Sequence, residues 1–225
     1  ICPTDHIKVR REGTNYRIWD RDFELSVCQV DEQLCRACGA CEEACPWRIP
    51  RVVLRRGQAA VAVINPDVCK ACGVCVAACP SGAISQPADE REPLAVEVEG
   101  PQPLLVYACG RSDLGACNEL PGGVELRELS CAGSVSQAQL MGALASGFAG
   151  VLVLGRHEST CRLDGAEQHG RATVDRVDRL ADLVGLGSGR VRFVEPSAGR
   201  GGPLSAVREF AAGLEASPLS AKPAA

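Results

Sequence analysis

Apolar and polar positions change rhythm twice along this chain. In residues 1–30 apolar residues alternate with charged ones: Ile7 and Val9, Tyr16 and Ile18, Phe23 and Leu25. Gly13 interrupts them, and a period of two predicts short extended segments rather than a helix. Farther on, Val52–Leu54 and Ala59–Ile64 flank Arg56-Gly57-Gln58, which predicts a β-hairpin. Residues 86–103 carry Pro87, Pro93, Pro101 and Pro103 among Asp89, Glu90, Glu92, Glu97 and Glu99. That is linker composition, with room for one short strand at Leu94–Val98. Beyond it, apolar runs at Leu104–Ala108, Val124–Leu129, Val151–Leu154 and Val191–Val194 predict strands. Helix-compatible stretches follow each of them, at about Asp113–Leu120, Ser136–Phe148, Ala172–Leu186 and Leu204–Ala212. Four strand-then-helix units predict an α/β domain with a short parallel sheet. The segment 217–225 holds Ser, Pro, Ala and Lys with little to bury, as expected of a flexible tail.

Composition narrows the class. The 225 residues are 46% hydrophobic and 23% charged, the balance of a globular protein. Net charge is −4 and aromatics are 4%, so neither the basic face nor the stacking aromatics of a nucleic-acid binder is present. No apolar run approaches the ~18–20 residues of a membrane span, and no signal-like segment opens the sequence. The expected location is the cytoplasm. The outlying residue type is cysteine, with 14 in all, ten of them within the first 79 residues.

Their spacing sets the chemistry. Cys35-Arg-Ala-Cys38-Gly-Ala-Cys41-Glu-Glu-Ala-Cys45-Pro46 is repeated as Cys69-Lys-Ala-Cys72-Gly-Val-Cys75-Val-Ala-Ala-Cys79-Pro80. Both read C-x2-C-x2-C-x3-C-P, the run that binds 4Fe–4S clusters in bacterial ferredoxins. Three thiolates two residues apart wrap three corners of one cubane, and the fourth, leading into proline, reaches the other. One cluster is thus assigned to Cys35, Cys38, Cys41 and Cys79, the second to Cys69, Cys72, Cys75 and Cys45. Gly39 and Gly73 let the backbone pass close to the sulfurs, and Pro46 and Pro80 fix the exit. A zinc site normally joins two separated cysteine pairs, not two quartets each ending in Cys-Pro. Over about 50 residues the region resembles the two-cluster bacterial ferredoxins. That resemblance implies a pseudo-twofold α+β domain at 31–86 carrying two low-potential, one-electron centres.

The start Ile1-Cys2-Pro3-Thr4-Asp5-His6-Ile7 matches the tail of such a motif, as in Cys79-Pro80-Ser81-Gly82-Ala83-Ile84. Residues 1–30 are therefore expected to be an N-terminal extension that ends a further cluster motif. Cys2 would be a ligand there, and the chain the C-terminal part of a longer polypeptide; the other reading is a buried thiol at Cys2. Cys28 has no quartet partner and reads equally as a core thiol or a ligand.

Cys109, Cys117, Cys131 and Cys161 remain. Cys109 and Cys131 end predicted strands and Cys161 follows the third, so they gather at the carboxyl edge of the sheet, where open α/β sheets place their sites. Leu104-Leu-Val-Tyr-Ala-Cys109, Glu128-Leu-Ser-Cys131-Ala-Gly-Ser-Val135 and Gly150 through Gly165 resemble the delta subunits of methyl-viologen-reducing hydrogenases, over about 105–215. That resemblance implies a domain at 104–216, after an acidic, Pro-rich linker at 87–103. It also implies a 2Fe–2S cluster and passage of electrons between a hydrogenase or formate dehydrogenase module and a heterodisulfide-reductase-type flavoprotein. Ser112 stands where the family's first loop has a second cysteine, and Arg156 where it has cysteine before His157. Cys109, Cys131 and Cys161 match family positions, whereas Cys117 does not. A 2Fe–2S site on these four thiols and retention of the fold without a cluster both fit. His157 reads as a loop residue making hydrogen bonds before it reads as a ligand. Gly185-Leu-Gly187-Ser-Gly189 precedes a strand, the reverse of a dinucleotide fingerprint, and is read as a helix stop.

The chain is thus expected to be a non-catalytic iron–sulfur electron-transfer subunit or module of an oxidoreductase complex in anaerobic metabolism. Two other readings stand beside it. One is the C-terminal part of a larger heterodisulfide-reductase-like or quinone-interacting flavoprotein. The other, of a different class, is a thiol redox sensor or zinc-stabilised interaction protein.

Overall fold

The computed structural model describes residues 9–12, 15–18, 21–24, 27–57, 59–87, 103–110, 120–156, 161, 163, 165–195 and 202–215. Cys2, Leu94–Val98, Asp113–Glu119, Cys117, His157 and the 217–225 tail lie outside them.

The alternating segments at the start form β1 (Val9–Glu12), β2 (Asn15–Ile18) and β3 (Arg21–Glu24), an antiparallel meander pairing Val9 with Ile18 and Tyr16 with Phe23. The repeated cysteine motifs build the next layer. It comprises β4 (Gln29–Val30), α1 (Ala40–Ala44), β5 (Arg51–Val53), β6 (Val61–Val63), α2 (Val74–Ala78) and β7 (Ile84–Ser85). The hairpin forms as its sequence predicts, with Val52 opposite Ala62. β4 pairs antiparallel with β7, so this layer takes in residues before 31.

Repetition in sequence becomes repetition in backbone. Ala37 and Ala71 adopt φ of 52° and 53°, Gly39 and Gly73 of 80° and 73°, and Arg48 and Gly82 of 51° and 67°. These left-handed residues curl each loop back on itself, a conformation that costs a residue with a Cβ about 1–2 kcal/mol. A five-residue helix follows each glycine and ends at the fourth cysteine, Cys45 or Cys79, in extended conformation.

The rest is the expected α/β layer. β8 (Leu104–Cys109), β9 (Val124–Leu129), β10 (Gly150–Leu154) and β11 (Val191–Val194) form a parallel sheet in the order β11-β10-β8-β9. Alternate residues feed two cores, because a parallel sheet is covered on both faces. Leu105, Tyr107, Val151, Val153 and Val191 meet α3 (Gln137–Ala145) and α4 (Ala166–Leu183) through Leu140, Ala143, Val174 and Val177. Leu104, Val106, Leu152 and Leu154 meet α5 (Gly202–Glu215) through Val207, Phe210 and Leu214. The chain leaves β8 toward β9 on one side and continues through β10 and β11 on the other. The switch point therefore lies at the carboxyl ends of β8 and β10.

Helix ends differ from expectation for local reasons. α3 stops at Ala145, short of Phe148, because Gly147 at φ 102° closes it. α4 begins six residues before Ala172, taking in Gly170, which lowers helix propensity but lets the helix touch a 3-10 turn at Ala132–Ser134. A Cβ on Gly170 would sit 2.5 Å from the Ala132 carbonyl oxygen. α4 ends at Leu183, and Gly185, Gly187 and Gly189, all at positive φ, turn the chain into β11, so the glycine run is a helix stop.

Candidate metal centres

Cys35, Cys41, Cys69, Cys75 and Cys79 pack in one core with Cys28, Ala62 and Ile84. None of the described cysteines is in a disulfide. Cys41 is buried beside its repeat partners. Burial raises its pKa, and the charges of Cys38 and Cys79 act in the same direction. Cys38, Cys41 and Cys79 are therefore neighbours although Cys79 lies in the other motif. Cys35 accepts backbone N–H bonds from Ala37 (3.5 Å) and from Ala62 on β6 (3.4 Å). At Cys79 burial works to raise the pKa. Hydrogen bonding with the Ser81 hydroxyl and with the amides of Ser81, Ala83 and Ile84 outweighs it and holds the thiol below its ordinary value.

The second group shows the same crossing. Cys45, Cys69, Cys72 and Cys75 line one cavity with Trp47, Ile49, Pro50, Ile64 and Lys70. Cys28 lines it too. Burial lifts the Cys72 thiol to about 11, with the charges of Cys45 and Cys69 adding to the rise. Cys45 accepts the amide of Ile49 at 3.5 Å. Among the described residues no three His, Cys, Asp or Glu side chains come close enough to hold a single metal ion. These four thiols instead stand around a shared space. Buried thiols that disfavour ionisation need a cationic partner to become thiolates. Amides aimed at sulfur, around thiols that are not paired in disulfides, fit an iron–sulfur core.

The α/β layer brings together part of its own set. Cys109 ends β8 and is buried. Cys131 follows β9, caps the 3-10 turn and accepts the Gly133 amide at 3.3 Å. Burial lifts its thiol to about 12, and the charges of Cys72, Cys109 and Cys161 press on it in turn. Cys109, Cys131 and Cys161 therefore converge near the switch point, while Cys117 lies outside the described residues. Arg156, two residues past the end of β10, is half-buried.

Between the two layers runs a seam that the spacing of the motifs did not announce. Cys72, Val74, Cys131 and Ala166 share one buried cluster with Ala44, Trp47 and Leu163. α2 packs on the 3-10 turn and on α4. Gln86 Nε2 donates to the Ala71 carbonyl (3.0 Å) and to Ser130 Oγ (3.4 Å), joining the second cysteine loop to the end of β9. No residue at this seam belongs to a repeated motif on both sides, so only the assembled fold reveals it. Cys28 was the other residue left open by sequence. Its signal, a pairing of two-residue strands, is too short to carry periodicity.

Family comparison accounts for both layers. Residues 34–83 match the model of the 4Fe–4S dicluster domain, a span that holds all eight motif cysteines. Residues 107–216 match the model of the methyl-viologen-reducing hydrogenase delta subunit, from within β8 to just past α5. No curated protein matches the chain.

Proposed function

From a chain that joins a 4Fe–4S dicluster domain to a methyl-viologen-reducing hydrogenase delta-subunit domain, we propose an electron-transfer module with two 4Fe–4S clusters. They are held by Cys35, Cys38, Cys41 and Cys79, and by Cys69, Cys72, Cys75 and Cys45. A 4Fe–4S cluster takes up and releases one electron at a potential set by its surroundings. The chain's own residues provide those surroundings. Amides of Ala37, Ala62 and Ile49 point at ligand sulfurs. Ala62 and Ile84 exclude water from the core between the motifs. The observation that carries the reading is the seam, where Cys72 of the second group and Cys131 of the delta-subunit domain share one buried cluster. It makes the two domains one continuous interior instead of two beads on a linker.

The finer parts of the proposal concern the third site and the partners. Cys109, Cys131 and Cys161, with Cys117, are the thiols for a 2Fe–2S cluster in the delta-subunit domain. The partners are a hydrogenase or formate dehydrogenase module on one side and a heterodisulfide-reductase-like flavoprotein on the other, with this chain carrying electrons and no substrate chemistry.

Anaerobic reconstitution tests it. About eight iron and eight sulfide per chain are expected from two cubanes, or about ten iron with a 2Fe–2S cluster added. Cys35→Ser and Cys79→Ser should lose the same cubane, and Cys69→Ser and Cys45→Ser the other. A colourless protein binding zinc and no iron would overturn the reading. Loss of Cys79→Ser and Cys69→Ser from the same centre would overturn the crossed assignment.

A further inference from the structure

Cys28 belongs to neither motif, yet it stands at the second cysteine group. It is 4% exposed and lines the same cavity as Cys45, Cys69, Cys72 and Cys75. Its thiol lies beside those of Cys69 and Cys75, close enough for each to act on its ionisation, and its backbone lies beside the Cys69 sulfur. The fold holds it there. Cys28 immediately precedes β4, which is clamped antiparallel to β7 through Val30 and Ile84, and the Asp31 amide donates to the Ala83 carbonyl at 2.7 Å. Cys28 packs in the core shared by both motifs, but among the described residues the thiols that act on it electrostatically are Cys69, Cys75 and Cys72, all of the second group.

We propose that Cys28 is a positioning residue of the second cluster, presenting its S–H and N–H as hydrogen-bond donors to the sulfurs of Cys69 and Cys75. The inference rests on the reading of that group as a 4Fe–4S site. Four thiolates saturate a cubane, which leaves the fifth thiol as donor: an S–H is a weak donor, and a thiolate sulfur is its natural acceptor. Donors to ligand sulfur offset the negative charge that reduction adds, so they raise the potential of the centre they touch. Cys28 therefore makes the second centre easier to reduce than its ligand set alone would. It also gives two otherwise repeated sites unequal potentials.

The test is a potentiometric titration followed by EPR of the reconstituted chain, with wild type, Cys28→Ala, Cys28→Val and Cys28→Ser side by side. All four should retain the wild-type iron content. Alanine and valine should move one centre to more negative potential and leave the other in place, and serine should restore most of the difference. Valine fills the space of the thiol, so a shift shared by both variants reports the lost donor and not a cavity. Unchanged potentials in both would overturn the proposal. So would loss of half the iron in alanine, valine and serine alike, which would make Cys28 a ligand. A wild-type chain that takes up no iron would instead overturn the functional reading on which the proposal stands.

Discussion

His169 lies on α4 with its Nδ1 3.1 Å from the Gly133 carbonyl oxygen, to which it donates as the neutral ring. Burial lowers its pKa below the ordinary 6.5. The Gly133 contact opposes that shift and the Arg176 charge adds to it. Cys79 and Arg176 are the titratable side chains that share its groove among the described residues. Because the folded value is depressed, the unfolded chain binds more protons between that value and 6.5, and stability must rise with pH across the window. The midpoint of thermal unfolding should fall as pH drops below about 6.5 and then level off. In His169→Gln this dependence should flatten, and an unchanged slope would show that another group carries it. At this scale the sequence was informative where chemistry repeats. The spacing of Cys35 through Cys79 assigns Cys41 and Cys79 to one group, and the two thiols do lie near each other across motifs. Cys28 and Cys131 were harder. What makes them matter is the contact each makes with Cys69 or Cys72 through space, and no local pattern encodes a contact between separated segments.

Among the elements, strands were more legible than helix ends. Leu104–Ala108 and Val151–Leu154 are apolar runs because both faces of a parallel sheet are covered, and burial on both sides leaves a pattern that any window detects. α4 concealed its first turn because Gly170 is there for a backbone contact with Ala132, and propensity reads that glycine as a breaker. The turn into β11 is secured by a side chain from the same helix. Asp178 accepts the amides of Gly189 and Val191, both at 3.0 Å, and so fixes the strand that begins there. Hydrogen bonds to a charged acceptor contribute roughly 1.5–3 kcal/mol. Asp178→Ala should therefore lower stability by about 2 kcal/mol in denaturant titration, with the loss of exchange protection greatest at Val191–Val194. A uniform loss over the whole sheet would count against this local role.

At the scale of the whole molecule the two domains meet through α2, the 3-10 turn and α4. Gly39 and Gly73 separate what the backbone demands from what the seam demands. Both have left-handed φ, so alanine strains both by about 1 kcal/mol or more. A Cβ on Gly39 meets nothing within 4 Å, whereas one on Gly73 would lie 2.7 Å from Gln86 Oε1 and 2.9 Å from Ser134 Cβ. Gly73→Ala should consequently destabilise by about 1–3 kcal/mol more than Gly39→Ala, and hydrogen exchange should quicken at α2 and the 3-10 turn together. Equal losses in the two variants would mean that the seam contributes little. This part of the architecture lay beyond sequence reasoning, because the linker composition of 86–103 says only that two domains are joined and nothing about whether they touch.

The cysteines next to these two glycines differ as well. Cys38 and Cys72 hold the same place in the duplicated motif, but Cys38 is exposed and Cys72 lies beneath the seam, 7% exposed. Duplication alone would yield interchangeable twins. Burying one twin under a downstream domain gives the molecule a front and a back, so that the inequality of the halves is written into the fold rather than into the motif.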